Sequence, residues 1–570
     1  MLILQGVFGM QGSAYGPWND PAEPNEWLTI AENGIHLRIH SRHKTYRLAR
    51  LRSSGILIHE HHLPAAEAEL PERRDGSWLE ILWGPEGVEV VSDRIGAIPV
   101  HWAIQDGRTW LASRLTDLAA LMPRTPGPDR IGALSTIFLD NPWGNRTLLE
   151  GVSLLPPASR CHFANPGLAP RCTRYWSPPP VSTAPTGPIE PWLDEAAERL
   201  ASAHQAGAAG LEASAVAMPV TAGLDSRCNL ALHPELSQRA RLFHCHDLGN
   251  VEWPYARKIG RYLGRPIERF DSAEGMRHAA TFDPALGPGD FNIAHWRLVG
   301  TARRLTETGS TATIDGFLQD LLFKATFLRD QSREAQIEGQ LARMRYNAKA
   351  LGFSAESEEV SLLTDYIREE YPSADAGLDA SQLHYLENRS RRLVYNIVRL
   401  NQNYLDVRTP ALDHQLMDFA LRLPWELRRG SWLYRRIIHR LDPNLAAIPY
   451  DKTGLPLLDP RPRSRGKAIA RQLRPLLDRA WPGRPFLQPP EGNFARIARR
   501  DQSFRSAAAT ALSDSEWLES CLGTKGARMP TQSGNRLGQA GIDCLGGMLT
   551  ISLLERAVRK ADRTGDGDTT

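Results

Sequence analysis

The 570-residue chain contains no uninterrupted apolar run of about 18 residues, the length that a transmembrane helix needs. Its first residues, Met1 to Gly6, lack the basic leader and the long apolar core of a signal peptide. A large excess of one charge is also absent, since 68 basic residues oppose 65 acidic ones and leave a net charge of +3. These absences predict a cytoplasmic protein with no transmembrane segment and no nucleic-acid partner.

Cysteine and lysine are both scarce. The six cysteines form no Cys-x-x-Cys pair, so we expect reduced thiols and no zinc site from them. They are Cys161, Cys172, Cys228, Cys245, Cys521 and Cys544. Only eight lysines stand against 60 arginines. A lysine in an unusual context therefore deserves notice, because arginine does not replace a compact ammonium group at every kind of site.

The composition, 42% hydrophobic and 23% charged, is that of a globular protein. Short alternating apolar runs separated by Asp-Gly and Pro-Gly turns predict a β-rich region over residues 1–176. Asp106-Gly107 is predicted to form a hairpin tip within it. The proline-rich residues 177–191 are predicted to be a linker, because they bury little and build no ladder.

The sequence changes character over residues 192–560. A helix from Asp194 to His204 is predicted, followed by strands and helices in alternation. The predicted strands are residues 215–220, 241–245 and 266–270, with a helix over 251–263 between the last two. This alternation predicts α/β architecture with a doubly wound parallel sheet. Residues 325–440 are predicted to be mainly helical, and residues 561–570 to be a flexible tail.

The most informative segment runs from Pro219 to Arg227 and reads P-V-T-A-G-L-D-S-R. A strand ends, small residues form a tight turn, and a helix begins, which favours anion binding by backbone N–H groups. Asp225 would repel a phosphate unless Mg²⁺ lies between them. A capped helix after a strand has the same pattern, so the residues alone leave nucleotide binding and an ordinary turn both open.

Residues 221–226 resemble the S-G-G-x-D-S pyrophosphate loop of adenylating ATP-pyrophosphatases, and among these the asparagine synthetases. Further segments resemble family motifs in the family's order. They are residues 92–100 (S-D-R-I-G-A-I-P-V), 111–114 (L-A-S-R), 151–157 (G-V-S-L-L-P-P), 314–323 (I-D-G-F-L-Q-D-L-L-F), 406–414 (D-V-R-T-P-A-L-D-H) and 450–456 (Y-D-K-T-G-L-P). The resemblance implies an N-terminal α+β glutaminase-like domain, a sandwich of the N-terminal-nucleophile type, over residues 1–176. It implies an ATP-pyrophosphatase domain with added helices over residues 192–560.

The resemblance also implies roles for individual residues, with ATP and Mg²⁺ as cofactors. Asp225 and Asp320 match the positions that hold Mg²⁺, and Lys452 matches the catalytic lysine that stabilises charge in both transition states. Asp406 is a candidate base for the attacking amine. The nucleotide-binding positions are Val220, Thr221, Ala222, Gly223, Leu224, Asp225, Ser226, His244 and Gly316.

Two departures from the family pattern bear on the substrate. Glutamine-hydrolysing members need a cysteine after the initiator methionine, and this chain has Leu2 there, so we expect no ammonia release from glutamine. Phe317 and Leu321 stand where the family has acidic residues, so free aspartate is expected to be a poor substrate in a more apolar pocket.

The G-L-D-S-R form with Arg227, and the arginine- and aromatic-rich residues 387–395, resemble lasso-peptide macrolactam synthetases. That branch joins the N-terminal amine of a precursor core peptide to an Asp or Glu side chain, with a leader peptidase and a leader-binding protein as partners. An amide ligase of the asparagine synthetase or β-lactam synthetase kind, using ammonia or a small amine, stays open. So does a non-catalytic nucleotide-binding pseudoenzyme.

Two histidine clusters are not predicted to bind metal. His59-Glu60-His61-His62 lacks the helical spacing of H-E-x-x-H and follows a strand, so we expect a solvated turn. His244 and His246 would need further ligands, so we expect them to end a strand near the nucleotide instead.

Overall fold

A computed structural model gives the fold. It describes residues 2–9, 27–32, 34–41, 45–51, 54–63, 70–184, 186–246, 252–271, 283–287, 289–326, 328–374, 376–450, 452–459, 493–533 and 539–565. The architecture is mixed α/β, with antiparallel sheets in the N-terminal part and a parallel sheet after them.

The described residues of the N-terminal part form twelve strands. They are β1 (Leu2–Phe8), β2 (Leu28–Glu32), β3 (Ile35–Ser41), β4 (Tyr46–Arg50), β5 (Gly55–Glu60), β6 (Trp78–Gly84), β7 (Gly87–Ser92), β8 (His101–Gln105), β9 (Arg108–Ala112), β10 (Val152–Leu154), β11 (Ser159–Phe163) and β12 (Arg171–Arg174). They build two six-stranded antiparallel sheets, in the orders β10-β8-β9-β1-β3-β2 and β12-β11-β7-β6-β5-β4. The predicted β-rich region is confirmed.

Alternate side chains of the two sheets meet in one apolar core. Leu4 and Leu37 of the first sheet belong to the same buried cluster as Ile58 and Ile81 of the second. This pairing of inner faces is the packing of a β-sandwich. The predicted hairpin tip is also confirmed, because Asp106 and Gly107 join β8 to β9 with positive φ angles of 51° and 70°.

The prediction that all six cysteines are reduced is wrong for one pair. Cys161 on β11 and Cys172 on β12 lie opposite each other in the strand register and form a disulfide. The hairpin that aligns them could not be read from a spacing of 11 residues. The other four cysteines, Cys228, Cys245, Cys521 and Cys544, take no part in a disulfide among the described residues.

Among the described residues, five parallel strands form the second part of the fold. They are β13 (Val216–Pro219), β14 (Arg241–His246), β15 (Glu268–Asp271), β16 (Ala312–Ile314) and β17 (Asp406–Arg408), in the order β15-β14-β13-β16-β17. Alternate residues of β13 enter cores on opposite faces, Ala217 on one and Val216 and Met218 on the other. The predicted parallel sheet is confirmed. Its strand order reverses between β13 and β16, where crevices form beyond the carboxyl ends of such strands.

Helices surround the sheets. They are α1 (Leu115–Leu121), α2 (Arg130–Leu139), α3 (Glu190–Gly207), α4 (Leu224–Leu232), α5 (Pro234–Arg239), α6 (Trp253–Tyr262), α7 (Val299–Glu307), α8 (Arg333–Ala350), α9 (Glu358–Glu370), α10 (Gly377–His384), α11 (Tyr395–Asn401), α12 (His414–Arg422), α13 (Trp425–Arg428), α14 (Trp432–Leu441), α15 (Pro443–Ala447), α16 (Asn493–Arg500), α17 (Gln502–Ser513), α18 (Glu516–Ser533) and α19 (Gln539–Gly565). Two π-helices are Asp320–Lys324 and Tyr385–Val394, and short 3-10 helices are Pro71–Arg73, Ala213–Ala215, Pro284–Leu286, Ile293–Leu298, Pro410–Leu412 and Arg429–Ser431. None of the described helices is long and apolar enough to cross a membrane.

Two of the predicted element boundaries shift in the structure. The helix predicted to begin at Asp194 begins at Glu190, within the last residues of the predicted linker. Helix α19 continues to Gly565, so the first half of the predicted tail is helical, and residues 566–570 lie outside the described residues. Helices α8 to α14 confirm the helical region over 325–440.

Buried arginines connect the N-terminal part to the later helices by hydrogen bonds. Arg399 donates to the carbonyl oxygens of Ala97, at 2.7 Å, and Gly96, at 3.0 Å. Arg392 donates to the carbonyl oxygens of Gly144 and Arg146. The arginine-rich stretch around residues 387–399 is therefore used inside the molecule, where guanidinium groups satisfy loop carbonyls of the neighbouring domain.

Candidate functional site

The turn between β13 and α4 is held in shape by its own hydroxyl groups. The Thr221 and Ser226 hydroxyls lie 2.8 Å apart, and the backbone N–H of Gly223 donates to Thr221 Oγ1 at 3.0 Å. The backbone N–H of Thr221 donates a hydrogen bond to Ser226 Oγ at 3.2 Å. Small residues permit this tight geometry, so the turn is preformed.

The apolar side chains of this turn face the interior. Val220, Ala222 and Leu224 are fully buried, so the backbone is what they offer to a ligand. Helix α4 begins at Leu224 with Gly223 as its N-cap and has no side-chain cap. The first N–H groups of a helix lack intrahelical acceptors and carry the positive end of its dipole. The turn can therefore bind an anion through its backbone.

His244 fixes the beginning of the turn to the neighbouring strand. Its Nδ1 donates to the carbonyl oxygen of Val220 at 2.7 Å, and the backbone N–H of Val220 donates to the Phe243 oxygen. The imidazole is 1% exposed and lies against the Trp253 ring. The structure thus gives His244 a positioning role at the turn, and its predicted place near a nucleotide stays a prediction.

Gly316 and Asp225 approach each other closely across the switch point of the sheet. A Cβ atom at position 316 would lie 2.7 Å from the Asp225 Cβ, which leaves room for glycine only. Oδ1 of Asp225 is buried and has no hydrogen-bond partner. Asp320 lies in the same segment and accepts a hydrogen bond from the Tyr385 hydroxyl at 2.5 Å. The predicted turn, Gly316 and both predicted metal ligands therefore come together.

Negative charge is concentrated here. Burial raises the pKa of the Asp225 carboxyl, Lys324 opposes this shift, and the Asp320 charge adds to it. Burial also raises the pKa of Asp315 to about 6. An unpartnered carboxylate oxygen among acidic neighbours fits a cation.

No group of three or more His, Cys, Asp or Glu side chains suited to a metal occurs among the described residues. Mg²⁺ is nevertheless held by one or two carboxylates when phosphates supply the other ligands, so Asp225 and Asp320 fit it.

Lys324 is a residue of this site that the sequence analysis missed. Its Nζ donates to Asp225 Oδ2, and its side chain is 12% exposed. It ends the π-helix Asp320–Lys324, which lies between two non-glycine residues with positive φ, Leu318 at 69° and Ala325 at 48°. Strained backbone of this kind concentrates at functional sites. The rarity of lysine was the signal that could have identified it.

Gln319 connects the segment after β16 to helix α4 by hydrogen bonds. Its amide nitrogen donates to Asn229 Oδ1 on α4 at 3.0 Å, and its oxygen accepts from the Tyr434 hydroxyl at 2.6 Å. The side chain is fully buried, so both ends are satisfied internally. The segment after β16 is thereby held rigidly beside the helix that begins at the turn.

Arg227 connects the turn to the segment that precedes Lys452. Its fully buried guanidinium donates to the carbonyl oxygens of Ala222 at 3.3 Å, Ile448 at 2.6 Å and Pro449 at 3.3 Å. A further bond reaches the Leu445 oxygen at 3.2 Å. One side chain thus binds the predicted phosphate turn and the chain just before the predicted catalytic lysine.

Lys452 lies close in sequence to the carbonyl groups that Arg227 binds. At most about 11 Å of extended chain separates Pro449 from Lys452. The chain turns sharply there, because the N–H groups of Thr453 and Gly454 both donate to the Tyr450 oxygen. The Lys452 side chain is exposed.

Asp406 is not brought to this site. It is the first residue of β17, and its N–H donates to the Thr311 oxygen, just before β16 begins. The turn after β13 and residues 315–320 follow the opposite, carboxyl ends of the strands. Asp406 Oδ2 instead accepts from Arg408 Nε at 2.7 Å, and Asp413 caps α12. This placement contradicts the predicted role of Asp406 as amine base. The sequence motif could not show at which end of β17 the residue lies.

Replacing Asp406 by asparagine is therefore expected to affect stability and not catalysis. Arg408 is 2% exposed and would lose its charged partner, which should cost about 2 kcal/mol in the free energy of unfolding. The rate of ATP cleavage per folded molecule should fall less than about tenfold, whereas loss of a general base costs roughly 10²- to 10⁴-fold. Chemical denaturation and AMP release measure the two effects. A large loss of rate in a stable variant would restore the base assignment.

Two further expectations need correction. Phe317 and Leu321 do not make an open pocket more apolar, because both are buried in the core, with Phe317 edge-to-face against Tyr395 at 4.9 Å.

The segment His59 to His62 is not a solvated turn either. Glu60 ends β5 and is 2% exposed, and burial raises its pKa to about 7. Contacts from the C-terminal part, including Arg408 at 3.2 Å from His61, cover this segment, which sequence cannot reveal.

The geometry therefore brings together the preformed turn before α4, the carboxylates of Asp225 and Asp320, and the segments that carry Lys324 and Lys452, at the switch point of a parallel sheet. Comparison of the chain with models of protein families found no match, and comparison with curated proteins found none either.

Proposed function

We propose that the protein is an ATP-dependent carbon–nitrogen ligase that activates a carboxylic acid as its adenylate, releases pyrophosphate and transfers the acyl group to an amine. The observation that supports this proposal most is the Arg227 bridge, which joins the anion-binding turn to the segment carrying Lys452. Its two ends are the parts that pyrophosphate release and charge stabilisation require. In this proposal the C-terminal part is an ATP-pyrophosphatase domain and the N-terminal sandwich a glutaminase-like domain without its nucleophile.

Each group has a definite task in such a reaction. The N–H groups at the start of α4 bind the pyrophosphate as it gains negative charge. Mg²⁺, held by Asp225 and Asp320, neutralises phosphate charge when it is bound. The Lys452 ammonium follows the charge from the phosphorane oxygen in the first step to the tetrahedral oxyanion in the second, because its stem is long and flexible.

For the substrate we propose a precursor peptide, with closure of a macrolactam between its N-terminal amine and an Asp or Glu side chain. The support is the G-L-D-S-R motif with Arg227, together with Leu2 where a glutamine-hydrolysing enzyme has its nucleophile. An amine within the substrate makes an ammonia source unnecessary. Remote contacts with the peptide would hold amine and acyl-adenylate together and make ring closure effectively unimolecular.

The experiment combines the protein with ATP, Mg²⁺ and a candidate core peptide. We expect AMP, pyrophosphate and a peptide that has lost one water, measured by chromatography and mass spectrometry. A matched peptide with Asn or Gln at the ring position should give no AMP, because an amide cannot be adenylated. A peptide with an acetylated N-terminus should still be activated but not cyclised. Failure of every peptide together with turnover of a small acid plus ammonia would assign the protein to the small-amine ligases.

A further inference from the structure

Lys324 stands in an environment that a surface lysine does not have. Its ammonium group contacts Oδ2 of Asp225, the carboxylate whose other oxygen is buried without a partner. The side chain is 12% exposed, and Leu318 and Ala325, on either side of the π-helix that it ends, have strained backbones. Desolvating an ammonium is costly, so a lysine kept here needs a compensating interaction.

The position of this cation is informative. Asp225 is one of the two carboxylates that fit Mg²⁺, and Gly316 and Asp320 lie in the segment that leads directly to Lys324. A single carboxylate oxygen cannot be shared fully by an ammonium group and a divalent ion, because like charges repel at that distance. The long, flexible lysine stem, unlike a planar guanidinium, lets the ammonium move to another nearby anion.

We propose that Lys324 is a resident counter-ion of the site: it holds Asp225 in the metal-free protein and moves to a pyrophosphate oxygen when the divalent cation takes its place. The inference rests on the proposed function for the identity of the anion. Lys324 is accordingly a positioning residue towards the metal and a binding residue towards pyrophosphate. It also explains how neighbouring carboxylates tolerate one another before the cation arrives.

The variant Lys324→Met separates the two roles, because they predict effects of opposite sign. Without the competing ammonium, Mn²⁺ should bind to the nucleotide-free protein roughly tenfold more tightly, as measured by electron paramagnetic resonance of free Mn²⁺. Pyrophosphate without metal should bind roughly tenfold more weakly, as measured by calorimetry. A protein that merely unfolded could not bind Mn²⁺ more tightly, so the first measurement excludes a folding defect.

Two further variants provide controls. Lys324→Arg keeps the charge and should retain Mn²⁺ affinity within about threefold of the wild type. Lys349→Met removes an exposed lysine from α8 and should change neither affinity. Equal Mn²⁺ binding by the wild type and Lys324→Met overturns this inference, whatever the turnover. A wild type that makes no AMP, while Lys324→Met shows both opposite shifts, refutes the proposed ligase and leaves Lys324 as the counter-ion.

Discussion

Replacing Lys452 by alanine should abolish the release of AMP and pyrophosphate from ATP and leave ATP binding largely intact. The expected loss in rate is at least about 10²-fold, the usual effect of removing a donor that stabilises charge only in the transition state. Lys452 is exposed and follows the segment that Arg227 fixes to the phosphate turn. Its removal should leave both the turn and the fold unchanged. AMP formation and equilibrium ATP binding measure the two quantities separately.

Controls sharpen this prediction. Lys349→Ala removes another exposed lysine and should turn over like the wild type. Lys452→Arg should remain strongly impaired, because a planar guanidinium cannot follow charge from one oxygen to the next as a compact ammonium does. Normal turnover by Lys452→Ala would remove Lys452 from the site and leave the phosphate turn without its predicted partner.

Replacing Arg227 by methionine should be the most damaging change to the fold of the site. Four carbonyl oxygens, those of Ala222, Leu445, Ile448 and Pro449, would lose the donor that the fully buried Arg227 guanidinium supplies. We expect a loss of about 3 to 4 kcal/mol in the free energy of unfolding, since buried polar groups would be left unsatisfied. Chemical denaturation measures this loss.

The same change should also lower the rate of AMP formation by at least about 10²-fold in the folded fraction. Lys452 would lose its fixed position relative to the turn, and small misplacements of this kind are costly. Arg303→Met, at an exposed position on α7, should change stability by less than about 0.5 kcal/mol and the rate not at all. A stable Arg227→Met variant with normal activity would show that the bridge does not organise the site.

The local pattern of the sequence was sufficient for the elements and for the phosphate turn. Alternating apolar residues predicted the strands, and small residues between Val220 and Ser226 predicted the turn where it occurs. Asp225 and Asp320 were paired from motif order, and the structure places them in neighbouring segments. The strands and the turn depend on contacts between residues close in sequence, which composition and spacing record directly. The pairing of Asp225 with Asp320 came from the family resemblance.

Other assignments depended on contacts that no local pattern records. Lys324 is 99 residues away in sequence from its partner Asp225, and only the folded chain shows that contact. The folded chain also shows Asp406 at the start of β17, at the end of the sheet opposite to the turn. Cys161 and Cys172 met because a hairpin aligned them. Glu60 was buried beside Ser77 of the N-terminal part and near Asp406 and Arg408 of the second half of the chain.

By itself the sequence determined the kinds of element, the parallel sheet and the tight turn before α4, because hydrophobic period and small-residue turns act over a few neighbouring residues. Tertiary structure alone decided which charges meet. Where distant segments meet at the switch point, Lys324 contacts Asp225 and Arg227 binds the chain before Lys452, while Asp406 lies elsewhere. These pairings follow from strand order and burial, which local spacing does not encode.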